Sequence, residues 1–320
     1  MNQSIAPIVP VSIPSGNFQL SFHIFRGKKP RQSKKYADPV QVNPALVAIN
    51  KKNMNWNNLN ILISGGSSGI GLEIARKLAN RGSNITILAR NEKNLQNAVS
   101  LIKDKTISQA QNIKWISADV SNYSVLEQAF INHGENFDCL INSAGLAYPG
   151  KFSDLSVEIH KKLMDVNYLG TVNLSKLVLP YMISKKSGYI VNISSLAGLV
   201  GIYGYTSYAS TKYAIRGFSS CLRSELKPLG INVSVVYPPD TDTPQLSFER
   251  SIMPDITRKI NSGGGVMKAD KVALAIIKGI ENKKFTIVPG LEGKILYTLA
   301  PLIDLFLFHY AVYLARKENN

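Results

Sequence analysis

Cysteine is nearly absent from this 320-residue chain: Cys139 and Cys221 are the only two. Cys139 sits in a strand-like apolar run (FDCLINSAG) and Cys221 in a helix-like run (SSCLRSEL). Both read as buried thiols, which excludes a disulfide framework and a cysteine-built metal site. Histidine is also sparse, with four residues at 23, 133, 160 and 309 and no ligand spacing among them, so no metal is expected. Acids are in deficit, 21 against 37 lysines and arginines, for a net charge of +16. An anionic partner therefore has to be considered: nucleotide phosphate, membrane lipid or nucleic acid. The core has no basic stripe interleaved with aromatics, so nucleic acid is not expected among the partners.

The positive charge is unevenly spread. Residues 1–53 hold eight basic side chains against Asp38 alone, with six prolines and no sustained periodicity. A loosely ordered extension over residues 1–57 is expected. Its composition is only weakly that of a targeting peptide, and both plastid targeting and a start at Met54 stay open.

The 45% apolar composition suits a large buried core, and from Asn60 the chain alternates short β-branched runs with helical patterns. Six runs are strands by this reading: LNILISG, NITILAR, NIKWISAD, FDCLINSAG, GYIVNISS and INVSVVYPP. They are continuously apolar more than alternating, which predicts a parallel sheet covered on both faces. The expected fold is α/β, a doubly wound parallel sheet of Rossmann type in three layers (α/β/α), over residues 58–290. Ligands of such folds bind at the carboxyl ends of the strands.

The first run ends in Ser64-Gly65-Gly66-Ser67-Ser68-Gly69-Ile70-Gly71. Glycines between a strand and an amphipathic helix let the backbone approach a pyrophosphate, which the free N–H groups and dipole of the helix favour. Gly65, Ser67, Ser68, Gly69, Ile70 and Gly71 are thus cofactor candidates. After the second run stands Arg90 where an NAD site usually has an acid; an arginine there pairs with a 2′-phosphate, which favours NADPH. The alternative is a solvated arginine with Glu92 in the acid's place. Asp119 and Val120 end the third run, where Asp119 could accept from an adenine amine. Asn142, Ala144 and Gly145 end the fourth, leaving room for a ribose. Turn chemistry explains either pair equally well.

The fifth run ends in Asn192-Ile193-Ser194-Ser195, and a helix begins at Tyr208-Ala209-Ser210-Thr211-Lys212. Residues four apart share a helix face, so the Lys212 ammonium can approach the Tyr208 phenol. A cation about 4 Å away at an effective dielectric of about 20 contributes roughly 4 kcal/mol, nearly three pKa units below the ordinary ~10. Tyr203 and Tyr205 have Ser207 and Ala209 at the fourth position, so Tyr208 alone among the three has a lysine there. Ser195 is expected to hydrogen-bond the substrate oxygen, with Ser194 on the opposite face of the strand.

Together the glycine turn, Asn142-Ser143-Ala144-Gly145, Ser195 thirteen positions before Tyr208, and Tyr208-x-x-x-Lys212 resemble the short-chain dehydrogenase/reductase family over roughly residues 60–289. Ser64 replaces the family's usual threonine and Ser143 its second asparagine. The resemblance implies that Tyr208 is the proton donor, that Lys212 binds the nicotinamide ribose and lowers the phenol pKa, and that Ser195 positions the carbonyl. Asn167, in DVNYLG, would order a relay water. Pro238, Thr241 and Thr243 would lie beside the nicotinamide or its phosphates, with Pro239 where a glycine is usual.

The segment Pro238-Pro239-Asp240-Thr241-Asp242-Thr243-Pro244, together with Ala89-Arg90-Asn91-Glu92, is similar to that of family members acting on a long-chain 2-amino-3-ketone of sphingolipid synthesis. Gln245 stands where those enzymes commonly have glycine. The resemblance implies NADPH-dependent reduction of the 3-keto group. A desolvated ammonium needs a carboxylate partner, which makes Asp240 or Asp242 a substrate candidate, beside Leu146. Bracing of the turn by both acids is the alternative. Other apolar carbonyls (steroid, retinoid or 3-oxoacyl) form a second reading, and a non-catalytic nucleotide-binding scaffold a remote one. The irregular stretch from Pro244 to Gly265 reads as a lid with Leu246, Phe248, Ile252 and Met253 on it.

An apolar C-terminal extension, residues 291–320, contains the 21-residue run Ile295–Ala315 with Asp304 as its sole charge. Its length fits a bilayer crossing, but Pro301 and Asp304 favour a broken or shallow membrane-inserted helix with Arg316 and Lys317 at the headgroups. A helix covering the substrate cleft or forming a homo-oligomer is the alternative. A membrane surface is the expected partner, with the catalytic domain facing the cytosol, at the endoplasmic reticulum in a eukaryote.

Overall fold

The computed structural model describes residues 54–318, so nearly all of the basic extension lies outside the described residues. Each of the six apolar runs forms a strand: β1 (Asn60–Ser64), β2 (Asn84–Ala89), β3 (Ile113–Ser117), β4 (Cys139–Asn142), β5 (Gly188–Ile193) and β6 (Ile231–Val236). Three further strands of two residues, β7 (Thr241–Asp242), β8 (Met267–Lys268) and β9 (Thr286–Ile287), are too short to carry a readable period. The main sheet is parallel throughout, in the order β3-β2-β1-β4-β5-β6-β9, while β7 and β8 pair separately.

Side-chain alternation along a strand feeds two cores. Ile61 and Ile63 pack with Ile74 and Leu78 of α1 (Gly69–Ala79), Leu95 of α2 (Glu92–Lys103) and Ile276 of α9 (Ala269–Glu281). Leu62 points the other way, into a core with Leu126 of α3 (Tyr123–His133), Leu174 of α5 (Gly170–Lys185) and Leu222 of α6 (Thr206–Leu226). With both faces buried, no polar alternation is left for the sequence to display. The strand order reverses between β1 and β4, where such sheets open a crevice at their carboxyl ends.

Three departures from a regular framework matter for that crevice. Helix α4 (Val157–Leu163) runs into α5 through a π-helical turn, Met164–Leu169, that turns Asn167 into the interior. The stretch expected to be a lid is two helices, α7 (Pro244–Ile252) and α8 (Asp255–Asn261), with Leu246 and Met253 buried and Phe248 half-exposed against Tyr148. Helix α10 (Leu291–Glu318) breaks at Leu299 (φ −103°, ψ 15°), two residues before Pro301, whose ring cannot continue the hydrogen-bond ladder.

On one side of α10, Leu296, Ala300, Ile303 and Leu307 pack with Leu199, Val200 and Tyr237, and Asp304 accepts the Gly201 N–H at 2.6 Å. On the other, Leu302, Leu305, Phe306 and Phe308 are all more than half exposed. The helix is long and apolar enough to cross a membrane by length and composition.

Two sequence expectations need correction. Cys139 is buried as expected, but Cys221 is exposed, because it falls on the outer face of α6 while its neighbour Leu222 takes the core position. Trp56, grouped with the loose extension, is 3% exposed in the core. Its indole donates to Glu281 Oε1 at 2.9 Å, where Arg81 also pairs at 2.7 Å, and its carbonyl accepts from Ser83 Oγ. The folded unit therefore reaches at least to Met54. Trp56→Ala should lower the unfolding free energy by about 3–5 kcal/mol, and Trp56→Phe by clearly less, read as shifts in urea midpoint.

Candidate active site

A cleft of about 830 Å³ opens at the carboxyl ends of β1, β4, β5 and β6, large enough for a dinucleotide's reactive half and a substrate head. Its floor at β1 is the glycine turn. Gly65 has φ +67°, and a Cβ there would meet Ser143 and Ala144 backbone at 2.8 Å. A Cβ on Gly71 would lie 2.4 Å from the Gly65 carbonyl oxygen. The loop is thus packed tightly enough that side chains would fill the cradle. Ser64 Oγ stitches it to the next strand by accepting from Ser143 N (3.1 Å) and Ala144 N (3.2 Å), the hydroxyl role that a threonine would equally serve. Ser68 makes no capping bond with its side chain, so the first turn of α1, with Gly69, Ile70 and Gly71, is left facing the cleft. These residues fit a bound pyrophosphate.

On the opposite wall, Ser195 ends β5, and Tyr208 and Lys212 lie on the first turns of α6. The Tyr208 phenol lines the cleft with the side chains of Ser195 and Gln245, both of which act on its ionisation. Lys212 Nζ is 5.4 Å from the Tyr208 ring centroid and donates to the Ile193 carbonyl at 3.1 Å. Ser194 is turned away, its hydroxyl donating to the Lys212 carbonyl at 2.9 Å. An acid, a hydrogen-bond donor and a cation thus line one cleft, an arrangement suited to passing a proton to a carbonyl oxygen.

The electrostatics differ from the expectation of a phenol lowered by its lysine. Burial holds the Lys212 ammonium down at about 8, with Glu249 partly opposing that shift. Tyr208 is pushed above its usual range, first by burial and then by the negative charge of Glu249, with Ser195 and Gln245 pulling the other way. Burial weakens the cation, and two nearby carboxylates outweigh it at the phenol. So raised, the phenol is a weaker acid at rest, and proton donation from it depends on stabilisation of the tyrosinate by the Lys212 ammonium.

Asn167 is fully buried and committed to protein partners. Its Oδ1 accepts from Leu146 N at 2.7 Å, and its Nδ2 donates to the Leu146 carbonyl and to Thr211 Oγ1, both at 2.9 Å. The backbone carbonyl accepts from Thr171 Oγ1 at 2.8 Å. Through these bonds the side chain positions the loop after β4.

Of the remaining sequence candidates, Ala144, Gly145, Leu146, Pro238, Thr241, Thr243 and Asp240 line the cleft. Thr243 also caps α7 by accepting from Leu246 N, ahead of Pro244 at the first helical position. Ser67, Val120, Asn142 and Asp242 are not in the cleft wall. Asn142 is buried and donates to Asn192 Oδ1 at 2.9 Å, bracing β4 against β5. Val120 packs into the core beside Gly170. Asp242 faces solvent because β7 alternates it away from Thr241. Arg90 and Asp119 line a separate depression of about 340 Å³, 3.9 Å apart as a loose ion pair. Asp119 Oδ1 accepts from Ser121 N and Oγ. Partial burial works against its charge, but those bonds and Arg90 prevail and hold its carboxyl below the usual range.

Sequence reading missed Glu249. It is 7% exposed on α7, lines the cleft, and accepts from Tyr205 Oη at 2.7 Å and Gln245 Nε2 at 2.9 Å. In the sequence it stands beside Arg250 and reads as a solvated acid. The available signal was its spacing: three after Leu246 and four after Gln245, it shares their inward helix face.

The family described as short chain dehydrogenase matches residues 59–251. A Bos taurus protein named 3-ketodihydrosphingosine reductase is 40% identical over 75% of this chain and 73% of its own length. Among solved structures, a short-chain dehydrogenase from Sphingobium yanoikuyae in complex with NADPH superposes with a TM-score of 0.66 at 26% identity, covering 78% of this chain and 95% of its own. A 3-oxoacyl-[acyl-carrier protein] reductase from Brucella melitensis with bound NAD gives 0.63 at 26%, covering 73% and 90%. The chain belongs to the short-chain dehydrogenase family. It is a nicotinamide-dependent oxidoreductase acting on a keto or hydroxyl carbon.

The buried Lys212 ammonium makes a stability prediction. Between the folded value of about 8 and the unfolded value near 10.5, the unfolded chain holds the proton that the folded chain has released, so stability rises with pH across that window. Relative to a Lys212→Met variant, the wild type should gain up to about 3 kcal/mol from pH 7.5 to 10 and should be no more stable than the variant at pH 7. Urea midpoints of both proteins across this range measure it.

Proposed function

We propose that the chain reduces the 3-keto group of 3-ketodihydrosphingosine to give dihydrosphingosine, with NADPH as reductant, the catalytic domain being residues 58–290 together with the packed segment 54–57 before them. The observation that carries this reading is the meeting of Tyr208, Ser195 and Lys212 in a cleft whose far wall is apolar side chains of α10, among them Leu296, Ile303 and Leu307. A polar reaction point beside a greasy wall suits a lipid ketone, and the named relatives at 36–40% identity agree with it.

Gly65, Ser68, Gly69, Ile70 and Gly71 would hold the cofactor's pyrophosphate, Lys212 its nicotinamide ribose, and Ala144, Gly145, Pro238, Thr241 and Thr243 the space around the nicotinamide. Arg90, 57% exposed and only loosely paired, would meet the 2′-phosphate that distinguishes NADPH. When bound, the cofactor supplies hydride to the carbonyl carbon. Ser195 Oγ donates a hydrogen bond to the carbonyl oxygen, and Tyr208 Oη transfers its proton there. The tyrosinate left behind is held by the Lys212 ammonium, whose charge then has a partner it lacks beforehand. Asn167 keeps Leu146 and the loop after β4 at the correct height.

The same reading puts the exposed face of α10 at a membrane surface, with the catalytic domain on the cytosolic side, at the endoplasmic reticulum in a eukaryotic cell. A helix pinned to the catalytic domain through Asp304 and apolar on its outer side lies in the interface more readily than it spans.

Detergent-solubilised protein should oxidise NADPH in the presence of 3-ketodihydrosphingosine and form dihydrosphingosine. Tyr208→Phe should lower kcat by about 10²–10⁴, and Arg90→Ala should raise KM for NADPH while leaving that for NADH nearly unchanged. Cofactor binding without turnover would reject this substrate and keep the family. In a separate measurement, the wild type should float with anionic liposomes, whereas Leu305→Glu/Phe306→Glu/Phe308→Glu should remain in the dense fraction with unchanged circular dichroism.

A further inference from the structure

Glu249 is an unusual side chain for its place. The chain carries a net +16, yet it buries this carboxylate in the wall of the cleft, with hydrogen-bond partners that are both neutral: the Tyr205 phenol and the Gln245 amide. A buried carboxylate without a close cation is costly, and the cost is removed when a cationic group is delivered to it. Each carboxylate oxygen accepts one hydrogen bond from the protein and keeps a lone pair free.

The position matches a particular substrate feature. Tyr205 donates to Glu249 and its ring lies 5.7 Å from that of Tyr208, and Gln245, which also donates to Glu249, lines the same cleft, so the carboxylate stands one side chain away from the proton donor. In a 2-amino-3-ketone the ammonium is on the carbon next to the carbonyl. A carbonyl oxygen at Tyr208 and Ser195 therefore carries its ammonium into the neighbourhood of Gln245 and Glu249. Asp240 lines the same part of the cleft and adds a second negative charge felt at both Tyr205 and Tyr208. Lys212 on α6 is felt at Glu249 from a distance, Arg250 acts on Asp240 from the exposed side of α7, and Glu292 of α10 lines the same cleft.

The geometry points to Glu249 as the residue that recognises the substrate's ammonium, with Tyr205 and Gln245 positioning its two oxygens. This deepens the proposed reaction and rests on it for the identity of the substrate. Burial raises the carboxyl's pKa, as it does that of Asp240, so the site is held partly toward its neutral form until a cation arrives. The arrangement separates amino ketones from neutral lipid ketones, which would strand the carboxylate against apolar chain. Asp240 assists, whereas Asp242, its sequence-level equivalent, faces solvent and is outside the site.

The test is Glu249→Gln, which keeps volume and a hydrogen-bonding group while removing the charge. Steady-state kinetics would compare 3-ketodihydrosphingosine with the corresponding hydroxyketone lacking the amino group. The expected result is a rise in KM for the amino ketone at least tenfold greater than for the neutral ketone, with the two kcat values changing alike. Equal losses on both substrates would assign Glu249 to bracing α7 against α6 and overturn the assignment. Titration calorimetry of octadecylamine and octadecanol, in the same detergent, does not depend on turnover. The wild type should prefer the amine at least tenfold and Glu249→Gln should not; equal binding of both by the wild type also overturns the assignment. An intact amine preference without reduction of 3-ketodihydrosphingosine would reject the proposed reaction and leave the ammonium site standing.

Discussion

The Asn167 side chain is the joint on which the cleft depends. Three hydrogen bonds from one fully buried amide tie both backbone groups of Leu146 and the hydroxyl of Thr211 to the π-helical turn between α4 and α5. An unbroken α-helix would rotate Asn167 by a sizeable part of a turn and leave polar atoms unpaired in the interior, so the π-turn persists because those bonds are available to it. The consequences travel outward. Thr211 is the residue before Lys212, and Gly145 the residue before Leu146. A Cβ on Gly145 would lie 3.4 Å from Asn167 Oδ1 and 3.5 Å from Lys212 Nζ. The loop that walls the cofactor site and the helix that carries the reacting tyrosine are thus set relative to one another by a group that need not touch either reactant.

Charge is arranged around this joint in a way that opposes simple pairing. The Lys212 ammonium, the carboxylates of Asp240 and Glu249 and the phenols of Tyr205 and Tyr208 share the cleft wall, and burial pushes each of these five toward its neutral form. Such a wall is costly by itself and finds its compensation in what it binds. A phenol raised in this way is a weak acid at rest, and it gives up its proton only as the Lys212 ammonium stabilises the tyrosinate that forms beside it. The electrostatic argument available from sequence alone, a single cation lowering a single phenol, omitted Glu249, which arrives from α7 about forty residues downstream, and did not count the charge of Asp240 against the phenol.

That omission marks where the sequence was legible. The six long strands, the parallel sheet and the switch point could be read because burial on both faces writes continuous apolar runs, and the Ser195, Tyr208 and Lys212 set could be read because its spacing is local to one strand end and one helix. The strands β7, β8 and β9 have no period to detect at two residues each. Asn142 and Asp119 were read as facing the cofactor because they follow strands, yet Asn142 pairs across the sheet and Asp119 turns back on Ser121. Trp56 looked like part of a tail because nothing in its own neighbours announces a core position; its partners, Arg81, Ser83 and Glu281, are supplied from elsewhere in the chain. Asp240 and Asp242 are two residues apart, and strand alternation alone would put both on one face; Asp240 faces the cleft because it sits at the bend before β7, outside the paired strand that turns Asp242 to solvent.

Helix α10 joins two requirements that usually fall to separate elements. The side chains that close the cleft and those that face outward alternate along one helix, so any force that seats its outer face in lipid also acts on the wall of the cleft. The break at Leu299 and Pro301 lets the first two turns follow the catalytic domain, with Glu292 and Gly293 at the cleft, while the remainder takes its own direction. Asp304 would be an expensive residue in hydrocarbon, but its carboxylate is already engaged by the Gly201 N–H on the protein side. A long-chain ketone has the same division, a polar head that needs Tyr208 and Ser195 and a tail that gains nothing from leaving an apolar phase. With its exposed apolar face seated in lipid, a helix that also walls the cleft would let head and tail keep their preferred surroundings at once, which would remove the desolvation barrier that a fully aqueous entrance imposes on each turnover.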